Sequence, residues 1–201
     1  MAQERNAEST PNPDLEPLSQ VDFHIYNRLA EQMDRIHTEF RRTWDELKSA
    51  CSASDPSSSS SPLSSEAQAE PKPDPDLEEF EDLEDEDFIL QGLSFCSSLT
   101  THHKIEERFM FPQLALRMPE FSTTGQLHAQ HEEIHDGLVR LNGYLRRCER
   151  EESRLDRAVV KGIMEGFEGV LWEHLDREVK LLEAGNMRRY WGVEEVRRLK
   201  M

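Results

Sequence analysis

The sequence predicts an all-α protein built as an up-down four-helix bundle. Three observations carry that expectation. Apolar residues recur every three or four positions in four long stretches, and no stretch alternates with the period of a strand. The last three stretches are joined by short connections, which favours antiparallel neighbours. A Ser/Pro/acidic stretch, residues 51–87, separates the first helix from the second and reads as a disordered insertion.

Composition supports that partition. The chain has 201 residues, of which 36% are hydrophobic and 32% charged. Typical domains are about 45–50% apolar and about 25% charged, so part of this chain lies outside any core. Residues 51–87 hold 13 acidic side chains and one lysine, −12 of the net charge of −17. Residues 1–20, also read as disordered, hold a further −3, which leaves the helical remainder nearly neutral at −2. A nucleic-acid partner would need a basic face, and none is expected. No apolar run approaches the ~18 residues of a membrane span, and MAQERNAESTPNPDLEPLSQ has no apolar signal core. The expected location is therefore cytoplasmic or nucleocytoplasmic, not secreted. Cys51, Cys96 and Cys148 read as free thiols of a reducing compartment. The acids from Asp74 to Asp87 read as a solvated lead into a helix, whose positive end they favour. A protein partner for this acidic linker is the alternative.

The first helix spans 21–50, with Ile25, Leu29, Met33, Ile36, Phe40, Trp44 and Leu47 on one stripe. The second spans 87–118 through Leu90, Leu93, Cys96, Leu99, His102, Glu106, Met110 and Leu114. Pro112 should kink or restart it near Phe111, and Pro119 should stop it. The third runs from about Thr123, with Thr123 and Gln126 as a capping box, to about Arg150. Its stripe is Leu127, Ile134, Leu138, Leu141 and Leu145. The fourth starts near Ser153, capped by Ser153 and Asp156, and carries Val159, Ile163, Phe167, Val170, Leu171, Leu175 and Leu182. Gly185 fits the residue past its end. The basic tail 187–201, with Tyr190 and Trp191, reads as a short helix across the end of a domain spanning 21–186.

Polar residues interrupt the apolar stripes. His37 lies between Met33 and Phe40. His102 and Glu106, His131 and His135, and His174 and Glu178 are pairs four residues apart, which places each pair on one helix face. Five imidazoles and two carboxylates would thus converge on one layer. A single buried histidine is ordinarily a satisfied core residue. Two buried carboxylates each cost several kcal/mol, of the order of the desolvation of an ion, unless a cation compensates them. Imidazole and carboxylate without thiolate suit iron, manganese or zinc, with iron favoured for a dinuclear site in a helical bundle. His103 and Glu107 are also four apart, and their choice against His102 and Glu106 stays open. His24 and His128 read as surface or supporting residues.

The order of His37, HHKIEERFMFP, HEEIH and HLDRE on four helices resembles the hemerythrin-like (HHE) family over about residues 21–186, apart from the insertion. The resemblance implies two non-haem iron ions, oxo- or hydroxo-bridged. One would be held by His131, His135 and His174, the other by His37 and His102, with Glu106 and Glu178 bridging. It also implies a position open to O2, NO or peroxide, for sensing, storage or carriage rather than for an evident enzymatic reaction. The oxygen carriers of the family have HxxxxD on the last helix, where this chain has Val179; the form here is HxxxE, His174 to Glu178.

Two other readings compete. His131-Glu132-x-x-His135 matches the H-E-x-x-H of zinc peptidases, with Glu132 as base and Glu165 or Glu168 as a further ligand. A metal-free helical interaction module is the other.

Overall fold

The computed structural model describes residues 16–53 and 84–200. The expected disorder of 1–20 and 51–87 falls largely on residues 1–15 and 54–83, which lie outside the described residues. The edges of both stretches are helical. Helix α1 runs Gln20–Ala53 and α2 runs Asp85–Ile105, so the interruption is shorter than its composition suggested. A π-helical turn, Glu106–Met110, leads into α3 (Phe111–Leu114). A 3-10 turn, Pro119–Phe121, precedes α4 (Gln126–Glu149). Then follow α5 (Arg157–Leu182), α6 (Ala184–Met187) and α7 (Val193–Val196). No strand occurs among the described residues. None of their helices is long and apolar enough to cross a membrane.

The long helices pack in a ring: α1 on α5, α5 on α4, α4 on α2, and α2 back on α1. This is the expected four-helix bundle. Several boundaries differ from the expectation, each for a local reason. Ser19 caps α1: its hydroxyl accepts from the Asp22 N–H at 3.1 Å and donates to the Asp22 carboxylate at 2.8 Å. Pro112 does not kink a continuous helix. The preceding turn widens instead, and Phe111 N–H donates five residues back, to Glu106. Thr123 and Gln126 do not form a capping box, because α4 begins after Gly125. A Cβ on Gly125 would lie 2.4 Å from the Glu120 carbonyl oxygen, so only glycine fits there. Ser153 does not start α5 either. Asp156 caps it alone, accepting from Ala158 N–H at 2.9 Å and Val159 N–H at 3.4 Å. Gly185 lies inside α6, because α5 stops where Glu183 turns extended. Leu90 and Val159 are exposed, one position off the buried stripes of Ile89 and Val160. The tail does fold across the bundle end: Tyr26 Oη donates to the Trp191 carbonyl at 2.9 Å, and Val196 is buried.

The interior falls into two apolar clusters. One holds Phe40, Trp44, Leu99, Ile134, Leu171 and Leu175; the other holds Met33, Met110, Leu127, Leu182 and Trp191. Helices α1, α4 and α5 cross from one cluster to the other, and α2 does so through the π turn that continues it. Polar residues sit at each crossing: His37 between Met33 and Phe40, His102 to Glu106 between Leu99 and Met110, His131 between Leu127 and Ile134, Glu178 between Leu175 and Leu182. The fold therefore sets one polar layer across the bundle between two hydrophobic halves.

Candidate metal centre

Five elements supply the layer. His37 comes from α1, His102 and His103 from the end of α2, Glu106 from the π turn, His131 from α4, and His174 and Glu178 from α5. His102 is slightly accessible and the other six are at most 5% exposed. Two adjacent histidines can both face inward because His102 lies three residues after Leu99 and His103 four, astride the stripe.

The ring nitrogens converge. His37 Nε2 lies 3.2 Å from His102 Nε2, and His131 Nε2 lies 3.1 Å from His174 Nε2. The carboxylates reach the same nitrogens: Glu106 is 2.8 Å from His102 Nε2 and 3.4 Å from His131 Nε2, and Glu178 is 3.4 Å from His37 Nε2 and 3.9 Å from His174 Nε2. His103 stacks on His131 with ring centres 3.9 Å apart and 12° between planes. Two groups of donors close enough to hold a cation result. One is His103, Glu106, His131 and His174; the other is His37, His102, Glu106 and Glu178. Glu106 belongs to both.

Other atoms set the ring tautomers. His37 Nδ1–H donates to the Leu175 carbonyl at 3.2 Å, and His131 Nδ1–H to Glu107 Oε1 at 2.8 Å, so both Nε2 lone pairs point inward. Meanwhile both oxygens of Glu106, both of Glu178, His103 Nε2 and His174 Nδ1 are buried without a hydrogen-bond partner. None of the carboxylate contacts in the layer is a hydrogen bond, and the longest, Glu178 to His174, is 3.9 Å. Orphaned buried polar atoms are rare and cost roughly 1–3 kcal/mol each, so this cluster is costly as it stands.

A cation fits it. Two donors about 2.1 Å from a common first-row metal and at right angles stand about 3 Å apart, the spacing of both nitrogen pairs. The electrostatics agree. Burial lowers His174 to about 3, and burial with the neighbouring imidazoles holds His103 well below the ordinary histidine range. These rings are neutral and free to donate. Burial, then the charge of Glu178, pushes Glu106 well above the carboxylate range. Burial raises Glu178 too, but the close approach of His37 and the electrostatic pull of the surrounding imidazoles bring it below its usual value. A cavity of about 340 Å³ between α1 and α5 adjoins His37 and is lined by Asp34, Arg41, Asp176, Lys180 and Glu183.

Of the candidates expected from sequence, the fold brings together His37, His102, Glu106, His131, His174 and Glu178. It does not bring in His135, which is exposed. His103 takes the place expected of it. The i and i+4 argument holds for direction only approximately: at 3.6 residues per turn, four residues advance about 40° around the axis. His131 sits at the edge of the buried arc of α4, so the step to His135 leads out of the core. The same exposure disposes of the zinc-peptidase arrangement, because Glu132 and His135 both face outward. Glu165 is exposed, and Glu168 is held by Lys48 at 2.6 Å. His24 is exposed, and half-buried His128 lies 3.8 Å from Glu107. His103, which the sequence left as an alternative to His102, enters the layer beside it, each in a different donor group.

No curated protein and no solved structure matches the chain. A family model does, over residues 30–184, a span that contains both donor groups. Its description is the hemerythrin HHE cation-binding domain. With a bundle of the expected architecture and a buried layer that could hold a cation, the chain belongs to the hemerythrin HHE cation-binding domain family.

Proposed function

We propose that this protein binds two non-haem iron ions in the polar layer and takes up a small ligand there, such as O2, NO or peroxide, to sense, store or carry it. The observation that carries the reading is the shared carboxylate. Two donor groups, each four residues strong, meet at Glu106, which suits a pair of cations rather than one. His103, His131 and His174 would hold one ion with Glu106; His37, His102 and Glu178 would hold the other with it. The set of imidazoles and carboxylates with no thiolate fits iron. Bound iron would supply a Lewis-acidic, redox-active position for the small ligand.

The chain's own residues do the rest. Glu106 and Glu178 compensate the charge of the ions and gain the partners that they lack. His37 lines the 340 Å³ cavity, which supports exchange of the small ligand from that side. The apolar clusters above and below exclude water from the layer. The test is metal analysis of aerobically purified protein with its near-ultraviolet and visible spectrum. Two irons per chain with the charge-transfer bands of an oxo-bridged pair support the proposal. One zinc per chain, or no metal after anaerobic reconstitution with iron, overturns it.

A further inference from the structure

The half-exposed carboxylate of Glu107 contacts no other predicted donor, yet it meets His131 at the nitrogen that faces away from the layer. Glu107 Oε1 accepts from His131 Nδ1–H at 2.8 Å, while Glu106, its neighbour in sequence, lies 3.4 Å from His131 Nε2. Consecutive residues of the π turn thus address the two nitrogens of one imidazole. The ring faces are held as well: His103 stacks on one side at 3.9 Å, and Phe111 lies nearly parallel at 5.2 Å, 20° between planes. The π turn contributes both Glu106 and Glu107, and Phe111 follows it directly.

We propose that Glu107 is a positioning residue for the metal site: its carboxylate holds His131 in the Nδ1–H tautomer and aims Nε2 at the cation. The inference rests on the metal reading above and deepens it. The other imidazoles differ. His37 Nδ1 has a neutral backbone carbonyl as its partner, and His174 Nδ1 has none. A carboxylate behind a ligating imidazole fixes its orientation and raises its basicity, and losing such a partner costs about 10–100-fold in metal affinity. Of these three rings, His131 alone has a carboxylate behind its Nδ1. Its support reaches the surface, since the Glu107 side chain is 36% exposed and His128 Nδ1 lies 3.8 Å from it.

The test uses the full chain and the variants Glu107→Leu and Glu107→Gln. Leucine removes the acceptor, whereas glutamine keeps an oxygen that can accept. The first readout needs no metal: long-range 1H–15N spectra of the imidazoles report the tautomer of His131 in the metal-free protein. The second is iron(II) affinity by chelator competition. We expect the parent and Glu107→Gln to show His131 as the Nδ1–H tautomer and Glu107→Leu to show a mixture. Iron affinity should fall about 10–100-fold in Glu107→Leu, with most of it restored in Glu107→Gln. An unchanged tautomer in Glu107→Leu, affinity within twofold of the parent, or a glutamine variant as weak as the leucine one overturns the positioning role. A parent that takes up no iron overturns the metal reading itself. Circular dichroism of the metal-free variants separates either result from failure to fold.

Discussion

The exchange of His135 for His103 gives the sharpest test of the site. The perturbations are His135→Ala and His103→Ala. His135 is exposed on α4, so its removal should change stability by less than about 0.5 kcal/mol and leave metal content unchanged. His103 is 5% exposed and stacked on His131. Truncating a buried ring costs roughly 2–5 kcal/mol in packing. Against that, the variant no longer buries the orphaned His103 Nε2, which recovers roughly 1–3 kcal/mol. The metal-free fold should survive. The cation, however, loses one of the three imidazoles in its group. Affinity should drop by more than the about 10–100-fold that removal of an outer partner costs. The assay is iron per chain after reconstitution, with urea denaturation of the metal-free forms. Loss of iron in His135→Ala with retention in His103→Ala would refute the reasoning from burial and restore the ligand set that the family resemblance implied.

Other outcomes follow from the same geometry. Saturating iron, at about 100 times its Kd, should stabilise the fold by about 2.7 kcal/mol for each ion bound, and a chelator should reverse the gain in a thermal melt. Gly137→Ala should destabilise by roughly 1–3 kcal/mol in a urea titration, because its Cβ would lie 2.4 Å from the Phe167 ring. Gly162→Ala, in α5 with open space around it, should instead stabilise by about 0.5–1 kcal/mol. The hydrogen bond from Lys48 is the largest influence on Glu168 and lowers its pKa below 4.5. That contribution is present above the unfolded pKa and lost as pH falls through the folded one. Both groups are partly exposed, so Glu168→Gln should cost at most about 1 kcal/mol at pH 7, and the cost should shrink steadily as pH is lowered below 4.5, by urea titration across that range.

The bundle was legible because its stripes are long. Leu29, Met33, Trp44, Leu99, Ile134, Leu138, Leu171 and Leu175 are all buried where a 3.6-residue period puts them. The layer was legible for a related reason: polar residues on such a stripe cannot face water. Its membership was less so. A stripe read by i and i+4 steps has no centre, and only the full buried arc of α4, from Gln130 and Gly137 to Leu127 and His131, shows that His135 lies beyond its edge. The π turn was hidden because no residue type announces it; Pro112 signalled an irregularity one turn later than it occurs. The helix starts at Gln126 and Arg157 depended on the tight approach at Gly125 and on the Tyr144 hydroxyl, which accepts from Asp156 N–H at 2.8 Å. Both are contacts between residues that sequence patterning does not pair.

Arg157 joins the two sides of the interrupted chain. It donates to the Ala50 carbonyl at 3.0 Å, near the end of α1, and to Asp85 at 3.1 Å, at the start of α2. The guanidinium also lies 4.8 Å from the Phe88 ring. The end of α1 and the start of α2 are therefore anchored to the same residue of α5. His37 thus reaches the layer on a helix whose placement is set by the fold and not by the tether behind it. One guanidinium on α5 therefore fixes the end of α1 against the start of α2, and with it the helix that carries His37.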